Sequence, residues 1–181
     1  MPWTAGCPAT PRMPVSTRSP DSSASLMGQR RWTTTTSTAE LRRVFVDTSA
    51  WLALVNRKDR FHEAAAMFHR NEAGARRVAT WGILSETYTW LRYHIGYPAA
   101  ERWLYETAAL EARGLIEVIY PDPSTEPSVR RILARFADQD LSYVDAFSLV
   151  VAESHRGIDA IFAFDHHLSL SGLPVLPGPV R

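Results

Sequence analysis

The sequence predicts one α/β domain: a parallel central sheet of four to five strands with helices on both faces. Three features predict it. Short apolar, β-branched runs recur along the chain, "RRVFVD" from Arg42, "RRVAT" from Arg76, "LIEVIYP" from Leu115 and "IDAIFAFD" from Ile158, each the length of a buried strand. Between them lie longer stretches with apolar residues at helical spacing. Strands that alternate with helices must be joined by crossovers, which build a parallel sheet covered on both sides.

The chain has 181 residues, 45% of them hydrophobic and 22% charged, which suits one domain of ordinary size plus an appendage rather than two full domains. No apolar run approaches the roughly 18 residues of a membrane span. Cys7 is the single cysteine, so one chain can build neither a disulfide framework nor a thiolate metal cage, and a cytoplasmic setting is expected. The net charge of +1 does not mark a polyanion binder; any such site must come from local patches or a metal.

Residues 1–40 are rich in Pro, Ser and Thr, show no sustained periodicity, and are expected to be a disordered N-terminal extension. Two other readings stay open for them: a transit peptide, or a start placed too far upstream, with Met27 the true one. The folded domain is expected over 41–181. "TSAWLALVN" follows the first strand as a helix that Thr48 or Ser49 can cap. "RFHEAAAMFHRNEA" puts Phe61, Ala65, Phe68 and Glu72 near one helical face, with Gly74 as its stop. After the second strand, "WGILSETYTWLRYHIG" carries Ile83, Leu84, Tyr88 and Leu91 at near-helical spacing; Gly96 and Pro98 separate it from "AAERWLYETAALEARG". "TEPSVRRILARFAD", with Pro127 in its first turn, and "SYVDAFSLVVAESHRG", closed by Gly157, complete the helices, and "LPVLP" reads as a last edge strand.

Charge placement gives the functional signal. Asp47 and Asp165 each end an apolar strand, and in parallel sheets ligands bind beyond the carboxyl ends of the strands. Glu86, one turn into a helix, and Asp145, in the first turn of another, are placed to reach the same rim, where helix N-termini tolerate anions. Crowded carboxylates repel, so one must hold its proton or a cation must lie between them. Oxygen-only ligands suit Mg²⁺ or Mn²⁺, whose chemistry is activation of water and neutralisation of a phosphoryl group.

"VFVDTSAWLALVN", "ILSETYTWLR", "LSYVDAFSLVVAESHRGID" and "AFDHHL", in this order over residues 43–180, resemble a PIN-domain ribonuclease, most closely the VapC-type toxin of bacterial toxin–antitoxin pairs. The resemblance implies a metal-dependent endoribonuclease that hydrolyses RNA and is silenced by a small antitoxin. It assigns Asp47, Glu86, Asp145 and Asp165 as catalytic metal ligands and Ser49 as a supporting hydroxyl beside Asp47. Residues 1–40 have no counterpart in the pattern. A homodimer is expected from the family and from Trp81, Tyr88, Trp90, Tyr93, Trp103 and Tyr105, aromatics of the middle helices that otherwise serve as core.

Blander roles are open to other polar residues. Asp140 or Ser142 can cap the helix bearing Asp145. The doublets Arg42–Arg43, Arg76–Arg77 and Arg130–Arg131 are expected to be solvated at element ends. His166 and His167 are expected in a turn or facing RNA, because neighbours on a helix project about 100° apart and chelate one ion poorly. Two rival functions are weighed: a phosphatase-type hydrolase needs a second aspartate two positions after the first, where this chain has Ser49, and a non-catalytic PIN-like binding module would have lost some of the four acids, which are all present.

Overall fold

A computed structural model describes residues 42–154 and 157–177. The expected extension, 1–40, lies outside the described residues. Among the described residues five strands are present, β1 (Arg43–Val46), β2 (Arg76–Thr80), β3 (Ile116–Ile119), β4 (Ala160–Ala163) and β5 (Val175–Pro177). They form one all-parallel sheet in the order β3-β2-β1-β4-β5. "LPVLP" does form the edge strand, where a proline costs no ladder bond.

Six α-helices among the described residues connect them: α1 (Thr48–Val55), α2 (His62–Asn71), α3 (Trp81–His94), α4 (Tyr97–Ala112), α5 (Glu126–Arg135) and α6 (Tyr143–Ser154). The chain moves outward from β1 to β2 to β3, then returns across β1 to β4. Right-handed crossovers therefore put α1–α4 on one face and α5–α6 on the other. Helix packing follows this division, α1 with α2 and α3, α3 with α4, and α5 with α6.

Parallel strands covered on both faces are apolar without alternation, and here Val44, Phe45 and Val46 of β1 and Ala160, Ile161, Phe162 and Ala163 of β4 are all buried. Helix α6 is buried continuously from Ala146 to Ala152, which explains its apolar composition on every side. Phe45 has no exposed surface, so its truncation to Ala would cost about 3–5 kcal/mol.

Two local expectations change. Helix α1 is capped by Asp47, whose side chain accepts the Ser49 N–H, rather than by Thr48 or Ser49. Helix α2 stops at Asn71, with Glu72 as its cap, three residues before Gly74 is reached. The aromatics divide: Trp103 is in the core and Tyr88 and Trp90 pack against it, whereas Trp81, Tyr93 and Tyr105 are exposed.

Candidate active site

The direction of crossover reverses between β1 and β4, and a crevice opens beyond the carboxyl ends of strands at such a point. The register puts Val46 opposite Phe162, so β4 runs one residue past the end of β1, and the Asp47 N–H donates to the Phe162 carbonyl at 3.0 Å. Asp47 is thereby fixed at the rim between the two central strands. Its side chain is buried, and its Oδ2 accepts the Ser49 hydroxyl at 2.6 Å and the Ser49 N–H at 3.0 Å. Ser49 Oγ also accepts the Phe164 N–H at 3.0 Å. One hydroxyl thus ties the acid to the segment that leaves β4.

Glu86 reaches the same rim from α3. Its Oε2 accepts the Thr48 hydroxyl at 2.9 Å, so consecutive residues of "DTS" provide a carboxylate, a clamp for Glu86 and a clamp for Asp47. The approach of α3 to α6 depends on Gly82, where an added Cβ would lie 3.0 Å from both γ-methyls of Val144. Asp145, the next residue, sits in the first turn of α6 in a reciprocal cap: its N–H donates to Ser142 Oγ at 3.1 Å, and its Oδ2 accepts the Ser142 N–H at 2.9 Å. Ser142, not Asp140, is the cap.

Electrostatics joins these three acids. Burial pushes the Asp47 carboxyl above its ordinary value; the Ser49 and Thr48 donors oppose this, and the Asp145 charge adds to it. Glu86 is also raised, by burial first, with the Thr48 hydroxyl opposing and the charges of Asp145 and Asp47 adding. Among the described residues no arginine or lysine forms an ion pair with Asp47 or Glu86. A half-buried set of repelling oxygens without a counter-charge fits a hard divalent cation. The donors match: carboxylates only, on three separate elements.

Asp165 is placed differently. Strand β4 ends at Ala163, two residues earlier, and the Asp165 side chain is 45% exposed. Its Oδ1 accepts the His167 N–H at 3.0 Å and lies 3.4 Å from Nδ1 of both His166 and His167. His167 Nδ1 is also 3.8 Å from Asp145 Oδ2, so this ring stands between the two aspartates. Among the described residues, the His, Asp and Glu ligand atoms that all fall within 4.8 Å of one another belong to Asp165, His166 and His167, and no three of the four acids gather so tightly.

Sequence reasoning missed that triplet. The turn expected at His166 and His167 is present, His166 preceding the 3₁₀ turn His167–Ser171, but the expectation that they chelate one ion poorly rested on the projection of helical neighbours, whereas here the rings lie 4.4 Å apart. The Thr48 clamp was missed as well, although the residue stands beside Asp47 in the motif. The arginine doublets are solvated only in part: Arg130 is exposed and pairs with Glu126 on α5, whereas at the edge of the sheet opposite Asp47 the side chains of Arg43 and Arg77 are part-buried, Arg42 pairs with Glu72, and Arg43 and Arg76 pair with Glu117.

The PIN domain family model matches residues 44–170, the span that runs from β1 through β4 and carries all four acids. The chain belongs to the PIN-domain family. It is 30% identical over 129 residues to the 23S rRNA-specific endonuclease VapC20 of Mycobacterium tuberculosis, in both strains CDC 1551 and H37Rv, covering 71% of this chain and 94% of that protein. The crystal structure of M. tuberculosis VapC20, a sarcin–ricin loop cleaving toxin, aligns with a TM-score of 0.62 at 29% identity, over 72% of this chain and 95% of that one. PIN membership agrees with the α/β architecture expected from the strand pattern. Among the described residues no helix is long and apolar enough to cross a membrane.

Proposed function

We propose that this PIN-domain chain is a Mg²⁺- or Mn²⁺-dependent endoribonuclease of the VapC type, the toxin of a toxin–antitoxin pair. Asp47, Glu86, Asp145 and Asp165 are its metal-binding and catalytic acids. One observation carries the reading: Asp47, Glu86 and Asp145 arrive from three elements, burial and then the charge of Asp145 raise the proton affinity of Asp47 and Glu86, and none of the three has an arginine or lysine ion pair among the described residues. The bound ion supplies charge neutralisation at the phosphodiester and activation of the attacking water. Everything else at the site is positioning.

Ser49 holds Asp47 with one oxygen engaged, Thr48 restrains Glu86, and the Ser142 cap fixes the rotamer of Asp145. Such restraint lowers the cost of assembling the site when substrate arrives. Asp165, more exposed, is the outermost ligand and acts directly or through water. The phosphatase alternative fails because Ser49 uses its hydroxyl on Asp47 and Phe164 and is no acid.

The domain is taken as 41–181, with 1–40 an extension outside the catalytic unit. A cytoplasmic homodimer with a cognate antitoxin is proposed, supported by the family and by exposed Ile95, Tyr97, Leu104 and Tyr105 on α4 and the turn before it. The relative's specificity makes a hairpin from the sarcin–ricin loop of 23S ribosomal RNA the first substrate to offer. The purified chain should cut it with Mg²⁺ or Mn²⁺ and stop on addition of chelator, and Asp145→Asn should be inactive. Undiminished cutting in excess chelator would refute the reading.

A further inference from the structure

We propose a second cation site, made by Asp165, His166 and His167, that takes a borderline ion of the Zn²⁺ class. It concerns the acidic-rim reading only in sharing Asp165 with it. The three ligand atoms lie within 4.8 Å of one another, a span one ion can bridge. Zinc bonds of about 2.0–2.1 Å in a tetrahedron separate neighbouring ligand atoms by about 3.3 Å. Asp165 Oδ1 lies 3.4 Å from His166 Nδ1 and 3.4 Å from His167 Nδ1. Two edges of the tetrahedron are thus already set.

The backbone explains why adjacent residues can do this. Asp165 Oδ1 accepts the His167 N–H at 3.0 Å, folding the carboxylate back over the start of the 3₁₀ turn, and both rings then lie on its side with centroids 4.4 Å apart. His167 is the more confined ring, 21% exposed, whereas His166, at 80%, swings into place with little packing to lose. Two imidazoles and one carboxylate are the donor set of an open zinc centre with a water in the fourth position, and Mg²⁺ prefers oxygen.

An ion held here occupies Asp165 Oδ1 and His167 Nδ1, so that oxygen is no longer free for an ion among the rim acids. Since Asp145 Oδ2 stands 3.8 Å beyond His167 Nδ1, zinc would also bring a positive charge against the cluster that the hard ion needs. The consequence is zinc inhibition through Asp165 rather than zinc catalysis.

The test is a titration of the full chain, stripped of metal, with Co²⁺ followed by visible absorption. One equivalent should give the intense bands of a low-coordinate cobalt centre, bleached by Zn²⁺ and untouched by excess Mg²⁺. His166→Gln and His167→Gln should each weaken Co²⁺ binding more than about tenfold, while Asp47→Asn should not. Zinc needed to halve Mg²⁺-supported cleavage should rise about tenfold in His166→Gln. Absent bands, bands lost in Asp47→Asn and kept in both histidine variants, or equal zinc sensitivity in His166→Gln would each overturn the proposal. Should the wild-type chain cut no RNA, the nuclease reading falls, and the cobalt titration still decides this site on its own.

Discussion

At the amino edge of the sheet, Glu117 lies between Arg43 and Arg76, with Nη2 atoms at 2.6 Å and 3.5 Å, Glu72 pairs with Arg42, and Asp159 accepts the Arg43 N–H. At the carboxyl edge of the same strands, Asp47, Glu86 and Asp145 face one another with hydroxyls and N–H groups for company. Both edges hold carboxylates beside an apolar core. One edge neutralises them from within the chain; at the other, no arginine or lysine among the described residues pairs with them. A fold that settles its acids at one end has no structural need for unsettled ones at the other, which is what supports the proposed metal site.

The contrast breaks most sharply at Asp47. Asp47→Asn removes the charge but keeps the shape and the capping oxygen, so RNA cleavage should fall by at least about a hundredfold while the melting temperature holds or rises. A circular-dichroism melt beside a cleavage time course reads both.

Proton linkage gives the next effect. With its folded pKa raised, the Asp47 carboxyl binds a proton more tightly in the native state, so the stability it contributes is fully present below the ordinary value of 3.8 and is lost as pH rises through the raised value. The melting temperature of metal-free wild type should therefore match that of Asp47→Asn in acid and drop below it with rising pH. Saturating Mn²⁺ should reverse the deficit, raising wild type by about 5–10 °C at an ion concentration about a hundredfold above its dissociation constant.

Gly82→Ala sharpens the comparison without touching a ligand. Better helix propensity offsets overpacking against Val144, so stability should change by less than about 1 kcal/mol, yet cleavage should fall about tenfold as α3 and α6 part and Glu86 leaves Asp145. The smallest effect is expected at the settled edge. Glu117→Gln should lower stability by less than about 1 kcal/mol, since its partners are partly exposed, and cleavage should not change.

Strand positions and the order of the acids were legible in the sequence because both follow from local pattern: an apolar run must be buried, and a carboxylate that ends it must lie at the rim. What stayed hidden depends on backbone turns. Asp47 caps its own helix because of its extended φ and ψ of −81° and 162°, which no residue count reveals. The Thr48 clamp on Glu86 spans 38 residues, and the Gly82 contact with Val144 joins two helices far apart in the chain. The projection of neighbours by about 100° applied to His166 and His167 only if they shared an α-helix. They flank the start of a 3₁₀ turn instead.

The central claim is that the carboxyl edge awaits a divalent cation. Crystals grown with Mn²⁺ and measured near the manganese absorption edge test it most directly. An anomalous peak among the carboxylates of Asp47, Glu86 and Asp145, absent from Asp47→Asn crystals, is the expected result. A fully occupied ion elsewhere with none among these carboxylates, or an unchanged peak in Asp47→Asn, would contradict the account.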